Sequence, residues 1–222
     1  MIGQIAAGVV AGDFLVAMFH WLEDTYLPST TRGPLAAVAR DNDFHHFVPY
    51  AITSETMRAN ISVTLPLSAG IVLAVWGLAP QWTADHIPLL AAMVVVGVFS
   101  NVVHRWIHER PCTRPRAVVF LQDVGVLVSS RQHAEHHENP RGNFGVVLGF
   151  TNSVYDGLRV WRLLEAVVPL TPQPKPGMVA YRGMYDARLS ALGADPCPAK
   201  LSRDEIRAYR KKLTENYGAI SP

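Results

Sequence analysis

Apolar positions along this chain gather into three long runs, Ile2 to Phe19, Ile61 to Ala79 and Ile87 to Val103. Each is long and apolar enough to be read as a membrane-spanning helix. A buried core helix is the plainer reading of any one run, but three in one chain point to a bilayer. The first run has no positive n-region and no convincing small-residue cleavage site, and it carries Asp13 inside its apolar stretch. It therefore reads as a retained helix and not as a secretory signal. Two shorter apolar runs, Ala117 to Val128 and Phe144 to Tyr155, are too short to span and read as re-entrant or interfacial segments.

After Val168 the chain reads Pro-Leu-Thr-Pro-Gln-Pro-Lys-Pro-Gly, a stiff polar linker. A terminal helix is expected from Ser202, which forms a capping box with Glu205. Ile206, Tyr209 and Leu213 would line one face, with Arg207, Arg210, Lys211 and Lys212 supplying charge. Such a helix lies on an anionic membrane surface or is simply solvated. The expected fold is all-α and integral to the membrane, with three spanning helices, re-entrant or interfacial helices and a histidine-rich cytoplasmic cap. Residues 1–168 form the membrane-embedded domain, and residues 169–222 form the cytoplasmic linker and amphipathic helix.

Charge fixes an orientation. No Lys or Arg precedes the first helix or lies in residues 80–86, whereas Arg32, Arg40 and Arg58 follow the first helix and Arg105, Arg110, Arg114 and Arg116 follow the third. By the positive-inside rule, the 21–60 loop and everything beyond the third helix face the cytoplasm. Hydrophobic residues make up 49% of the 222 and charged residues 17%, below the quarter usual in soluble domains. A net charge of +2, with no basic block among aromatics, gives no case for nucleic acid. The two cysteines, Cys112 and Cys197, imply neither a disulfide framework nor a metal pair.

Nine histidines are the unusual feature. His20, His45, His46, His104, His108, His133, His136 and His137 all fall on the cytoplasmic side of that topology, and His86 alone falls outside. His104 and His108 are one helical turn apart on one face, and His133, His136 and His137 converge in the same way if helical. Asp13, Ala17, His20 and Asp24 share one stripe. Eight imidazoles exceed a closed four-ligand zinc site and suit two ions with open positions. Ligand type alone leaves iron, zinc and copper open. Metal-bound histidines usually donate their second ring proton to a carboxylate or carbonyl, and Asp24, Glu109, Glu135 and Glu138 are placed for it. There is no HExxH motif, no nucleophile elbow and no phosphate-cradling loop.

The ordered motifs resemble the lipid desaturase domain family. They are His20-Trp-Leu-Glu-Asp-Thr-Tyr26, His45-His46 followed by Pro49-Tyr-Ala-Ile-Thr53, His104-Arg-Trp-Ile-His108, Leu121-Gln-Asp-Val-Gly-Val-Leu-Val-Ser129, Arg131-Gln-His-Ala-Glu-His-His137 and Gly149-Phe-Thr-Asn-Ser-Val-Tyr-Asp156. The resemblance covers roughly residues 11 to 165. It is closer to the chloroplast branch, acting on palmitate in phosphatidylglycerol, than to the plasmanylethanolamine branch. Animal-type members of the latter carry further histidines where this chain has Ser54, Gly125 and Gln132. No Arg/Ser-rich transit peptide precedes the first helix, so a plastid location is not indicated.

The resemblance implies an oxygen-dependent lipid desaturase with two iron ions on the eight histidines, which zinc can replace in a purified sample. Asn152 and Asp156 match the family pattern and, with Asp24, are expected behind the ligands or as ligands themselves. Removing hydrogens from an unactivated methylene needs a strong oxidant, which reduced metal and dioxygen supply. The chain lacks flavin, haem and cysteine-cluster motifs, so a ferredoxin or cytochrome-type electron donor is implied. The membrane lipid is expected to enter through a groove between helices one and three, at Gly12, Ala17, Gly97 and Ser100. Close helix packing is the alternative reading of those small residues. A lipid hydroxylase is the nearest rival. A membrane haem or metal-handling protein is the rival of another class, although haem needs only one or two histidines.

Overall fold

The computed structural model describes residues 1–28, 30–109 and 111–177, together with residues 204, 207, 208 and 211. Those last four are helical, but the expected terminal helix otherwise lies outside the described residues. Among the described residues up to 177, the α-helices are α1 (Ile2–Tyr26), α2 (Ala36–Phe47), α3 (Met57–Leu78), α4 (Pro80–Asp85), α5 (Ile87–His108), α6 (Arg116–Asp123), α7 (Ser130–Glu138), α8 (Gly149–Gly157) and α9 (Val160–Val167). Among the described residues, extended pairing is limited to one isolated bridge between Leu127 and Leu148.

α1, α3 and α5 are long and apolar enough to cross a membrane. At 1.5 Å per residue, the 25-residue α1 is about 37 Å long, more than the roughly 30 Å hydrocarbon core. α3 leaves Val63, Leu73 and Trp76 more than half exposed. A face of that kind suits acyl chains and would be costly in water. Thr56 caps α3 by accepting from the Ala59 N–H at 3.1 Å. Its interior Pro66 is tolerated as such residues are in membrane helices.

α1 and α5 pack closely because Gly8 and Gly12, four residues apart, present bare backbone to α5. A Cβ on Gly12 would stand 2.9 Å from the Val96 Cβ and 3.0 Å from the Met93 carbonyl, and one on Gly8 would overlap the Leu89 carbonyl. This is small-residue packing of the kind membrane helices use. Gly97 does the same toward α3, where a Cβ would meet Ser68 Oγ at 2.6 Å, and Thr64 Oγ1 donates to the Val98 carbonyl at 2.7 Å. Ser100 turns its hydroxyl back onto the Gly97 carbonyl at 2.8 Å. Ala17 is fully buried in an apolar cluster with Trp21, Phe144, Tyr155 and Trp161. Of the four positions expected to line a lipid groove, Gly12, Ala17 and Gly97 are thus packing contacts and Ser100 is buried, because small residues let backbones meet.

The spanning helices run further than apolarity alone suggests. α1 continues to Tyr26 and α5 to His108, since nothing in either polar extension breaks a helix. The two short apolar runs form α6 with the turn after it, and the 144–148 segment leading into α8. The buried Asp13 of α1 holds that entry: its carboxylate accepts from the Leu148 N–H at 2.9 Å and the Thr151 hydroxyl at 2.7 Å. Residues 173–175 lie along the end of α1, with the Gln173 and Lys175 N–H groups donating to the Thr25 and Asp24 carbonyls at 2.7 and 3.0 Å.

Candidate metal centre

Because α1 and α5 overrun their apolar sections, their last turns carry His20 with Asp24 and His104 with His108 beyond the packed seam. α2 adds His45 and His46 from its final turn. α7, capped by Ser129 accepting from the Gln132 N–H at 3.2 Å, turns His133, His136 and His137 inward. Arg114 ties the end of α5 to α6 and to the start of α7. It donates to the Glu109 carbonyl at 2.8 Å, Gln122 Oε1 at 2.6 Å and Ser130 Oγ at 2.6 Å.

The ligand atoms form two adjoining groups, and within each group all lie within 4.8 Å of one another. One comprises His45, His104, His108, His133 and His137; the other comprises His20, Asp24, His46 and His136. The groups touch, with the His46 and His137 rings 4.8 Å apart and those of His20 and His104 5.9 Å apart. All eight clustered histidines are therefore brought together. His86 is not among them: it stacks on Trp82 at 4.2 Å, and its Nδ1 pairs with the Trp82 carbonyl at 2.8 Å.

In the first group His104 Nε2 lies 2.8 Å from His133 Nε2 and 3.2 Å from His108 Nε2, and His137 Nε2 lies 3.1 Å from His133 Nε2. A neutral imidazole offers one donor and one acceptor nitrogen, so these convergent atoms cannot all satisfy one another, and the buried His45 Nε2 has no partner. Burial, reinforced by neighbouring imidazoles, holds the pKa values of His45, His133 and His137 well below the usual imidazole range. They stay neutral, the state in which imidazole ligates.

The second group is more telling. His20 Nδ1 is 2.9 Å from the Phe144 carbonyl, and His136 Nδ1 is 2.8 Å from the Gly142 carbonyl. A carbonyl only accepts, so both Nδ1 atoms carry the proton, and in the neutral ring, the form that ligates a metal, each Nε2 is left with a lone pair. Those lone pairs face Asp24 Oδ2 at 3.3 and 3.1 Å. Lone pairs against a carboxylate oxygen repel, and a cation among them converts repulsion into ligation. Asp24 Oδ1 is 3.0 Å from His46 Nε2 and accepts from Asn42 Nδ2 at 2.8 Å. Asp24 Oδ2 and His136 Nε2 are buried without a hydrogen-bond partner. The donor set of both groups fits a pair of divalent transition metals.

Asp24 thus lies among the ligand atoms and not behind them. The hydrogen bonds of Asn152 and Asp156 go elsewhere than to an imidazole, to the backbone of Gly145 and Asn143. The expected carboxylate partners are engaged elsewhere, Glu109 with Arg105 at 2.6 Å and Glu135 with Arg131 at 3.4 Å, while Glu138 is exposed on α7. For His20 and His136 the backbone carbonyls of Phe144 and Gly142 take their place. Sequence reasoning also missed Asn42, although its i, i+4 relation to His46 on α2 was a usable signal. It missed Lys175, whose buried ammonium donates to the Leu27 carbonyl at 3.0 Å and pairs with Asp43.

Comparison with known proteins agrees with this architecture. The chain is 32% identical over 167 residues to fatty acid desaturase 4, chloroplastic, of Arabidopsis thaliana, covering 72% of this chain and 49% of that protein. It is 28% identical over 192 residues to a probable fatty acid desaturase of Acanthamoeba polyphaga mimivirus, covering 85% of this chain and 92% of that one. Plasmanylethanolamine desaturase 1 of Mus musculus is 28% identical over 182 residues, covering 78% of this chain and 66% of that protein. The chain spans about half the length of the plant relatives it matches. No solved structure matches it. Residues 9–177 match the family described as lipid desaturase domain, from the first packed turns of α1 to the segment lying along its end. By that match, this membrane protein belongs to the lipid desaturase domain family.

Proposed function

We propose that this chain is a membrane lipid desaturase, placing a double bond in an acyl or alkyl chain of a phospholipid with dioxygen and two iron ions. The single observation that carries the reading is the pair of adjoining, buried groups of metal-ligating side chains beside the ends of membrane-crossing helices, with imidazole Nε2 atoms turned on a carboxylate. One iron would be held by His45, His104, His108, His133 and His137, the other by His20, Asp24, His46 and His136. When bound and reduced, such a pair supplies the oxidising power that an unactivated methylene requires.

The protein's own part is to keep the imidazoles neutral, fix their ring tautomers and exclude water around them. Dioxygen chemistry of this kind consumes two electrons, which a ferredoxin or cytochrome-type donor would deliver. Arg32, Arg40, Arg105, Arg114 and Arg116 all belong to segments on the site's side of the membrane, which supports a cytoplasmic-side centre. Residues 1–168 would carry the membrane-embedded site, and 169–222 would follow it on the same side.

Expression in a bacterial host, followed by mass spectrometry of its lipids, tests the reading. The intact chain should yield lipid species lighter by two hydrogens, and His104→Ala should not. A metal-loaded protein that produces no such species would sink the proposal, and products carrying an added oxygen would make it a hydroxylase.

A further inference from the structure

The loop between α7 and α8 supplies both carbonyls that orient the second ligand group, and two side chains of α8 hold that loop. Asn152, fully buried, grips Gly145 from both edges. Its Oδ1 accepts from the Gly145 N–H at 2.8 Å, and its Nδ2 donates to the Gly145 carbonyl at 2.9 Å. One turn further on, Asp156 Oδ2 accepts from the Asn143 N–H at 2.9 Å, and its Oδ1 accepts from Trp161 Nε1 at 2.9 Å. The two grips fall on either side of Phe144. Both are tight: a Cβ on Gly145 would stand 2.6 Å from Asn152 Oδ1, and one on Gly142 would stand 2.9 Å from Asp156 Oδ2. Asn143, between them, takes the left-handed conformation with φ 54°. The carbonyls of Gly142 and Phe144 are thereby held where His136 and His20 donate.

The loop gives no such support to two rings of the first ligand group. The Nδ1 atoms of His133 and His137 are buried without a hydrogen-bond partner, so no carbonyl orients those rings from behind.

We propose that Asn152 and Asp156 are positioning residues for the Asp24-containing group alone. Acting through the 142–145 loop, they fix the tautomer and direction of His20 and His136 and so set the metal affinity of that one centre. The inference rests on the reading that both groups hold metal. The two can fail separately.

The test uses the full chain in detergent, stripped of metal and titrated with Co(II). If the unaltered protein takes fewer than two equivalents, the two-metal reading fails. Given two, Asn152→Ala and Gly145→Ala should weaken one equivalent about 10–100-fold, the usual scale for groups behind a ligand, and leave the other unchanged. Asp156→Asn and Gly142→Ala, which disturb the second grip, should do the same. Asn152→Asp keeps the acceptor but loses the donor to the Gly145 carbonyl, so it should show a partial loss; a residue that merely fills space would show none. Gly157→Ala, on the same helix with open space around its missing Cβ, serves as the unaffected control. Circular dichroism of each stripped variant selects those that keep their helices, and each grip can be disturbed from either side. Unaltered binding in the folded variants, or equal weakening of both equivalents, would overturn the proposal.

Discussion

Asp24 shows how much one residue's place on a helix decides. It lies one turn beyond His20 on α1, at the point where the helix leaves its packed seam, and its carboxylate meets three imidazoles that arrive from α1, α2 and α7. Asp24→Ala should therefore cost one bound metal more affinity than the roughly 10–100-fold typical of a group behind the ligands. Metal analysis of the purified variant would read this as one ion lost per chain, while His86→Ala should leave both. Charge topology joined to histidine spacing indicated which imidazoles gather, because side chains are written in sequence. The carbonyls of Gly142 and Phe144 were not legible, since every residue carries one and only the folded loop selects those two.

Among the elements, the long helices were legible and the contacts between them were not. Apolar run length fixes a spanning helix, but a small residue can equally mark an open groove or a closed seam. The structure answers with atoms: Gly12 meets Val96 and Met93, and Gly97 meets Ser68. A bulky side chain at either place should act on folding and not on chain-length preference. We expect Gly12→Leu to destabilise the protein by about 1–3 kcal/mol, the range for overpacked cores, measured as a lower melting temperature in detergent. A variant with unchanged stability and altered product chain length would restore the groove. The short helices α6 to α9 were harder to read, since their ends are set by tertiary contacts such as those of Asp13 and Arg114.

At the scale of the whole molecule, the site is a concentration of buried imidazoles at the end of the helix bundle, and acid should undo it. His45, His133 and His137 have folded-state pKa values below the ordinary 6.5, so the unfolded chain binds more protons once the pH falls under that value. The stability they contribute is full above about pH 6.5 and drains away as the pH drops further. Metal-free protein should accordingly melt at a lower temperature at pH 5.5 than at pH 7.5, and bound metal should dissociate over the same range. A melting temperature that rose on acidification would contradict the arrangement.

Lys175 has a consequence in time. The chain that lies along the end of α1, and pairs its ammonium with Asp43 of α2, is made after every helix that carries a ligand. Proteins emerge and fold from their N-terminal end, so α1, α2, α5 and α7 are all made before residue 175 can brace the end of α1 against α2. Lys175→Met, which keeps the length of the side chain but not its charge, should leave the spanning helices inserted while loosening the anchorage of Asp24. In a pulse-labelling experiment it should appear as protein that reaches the membrane at the normal rate but acquires metal late.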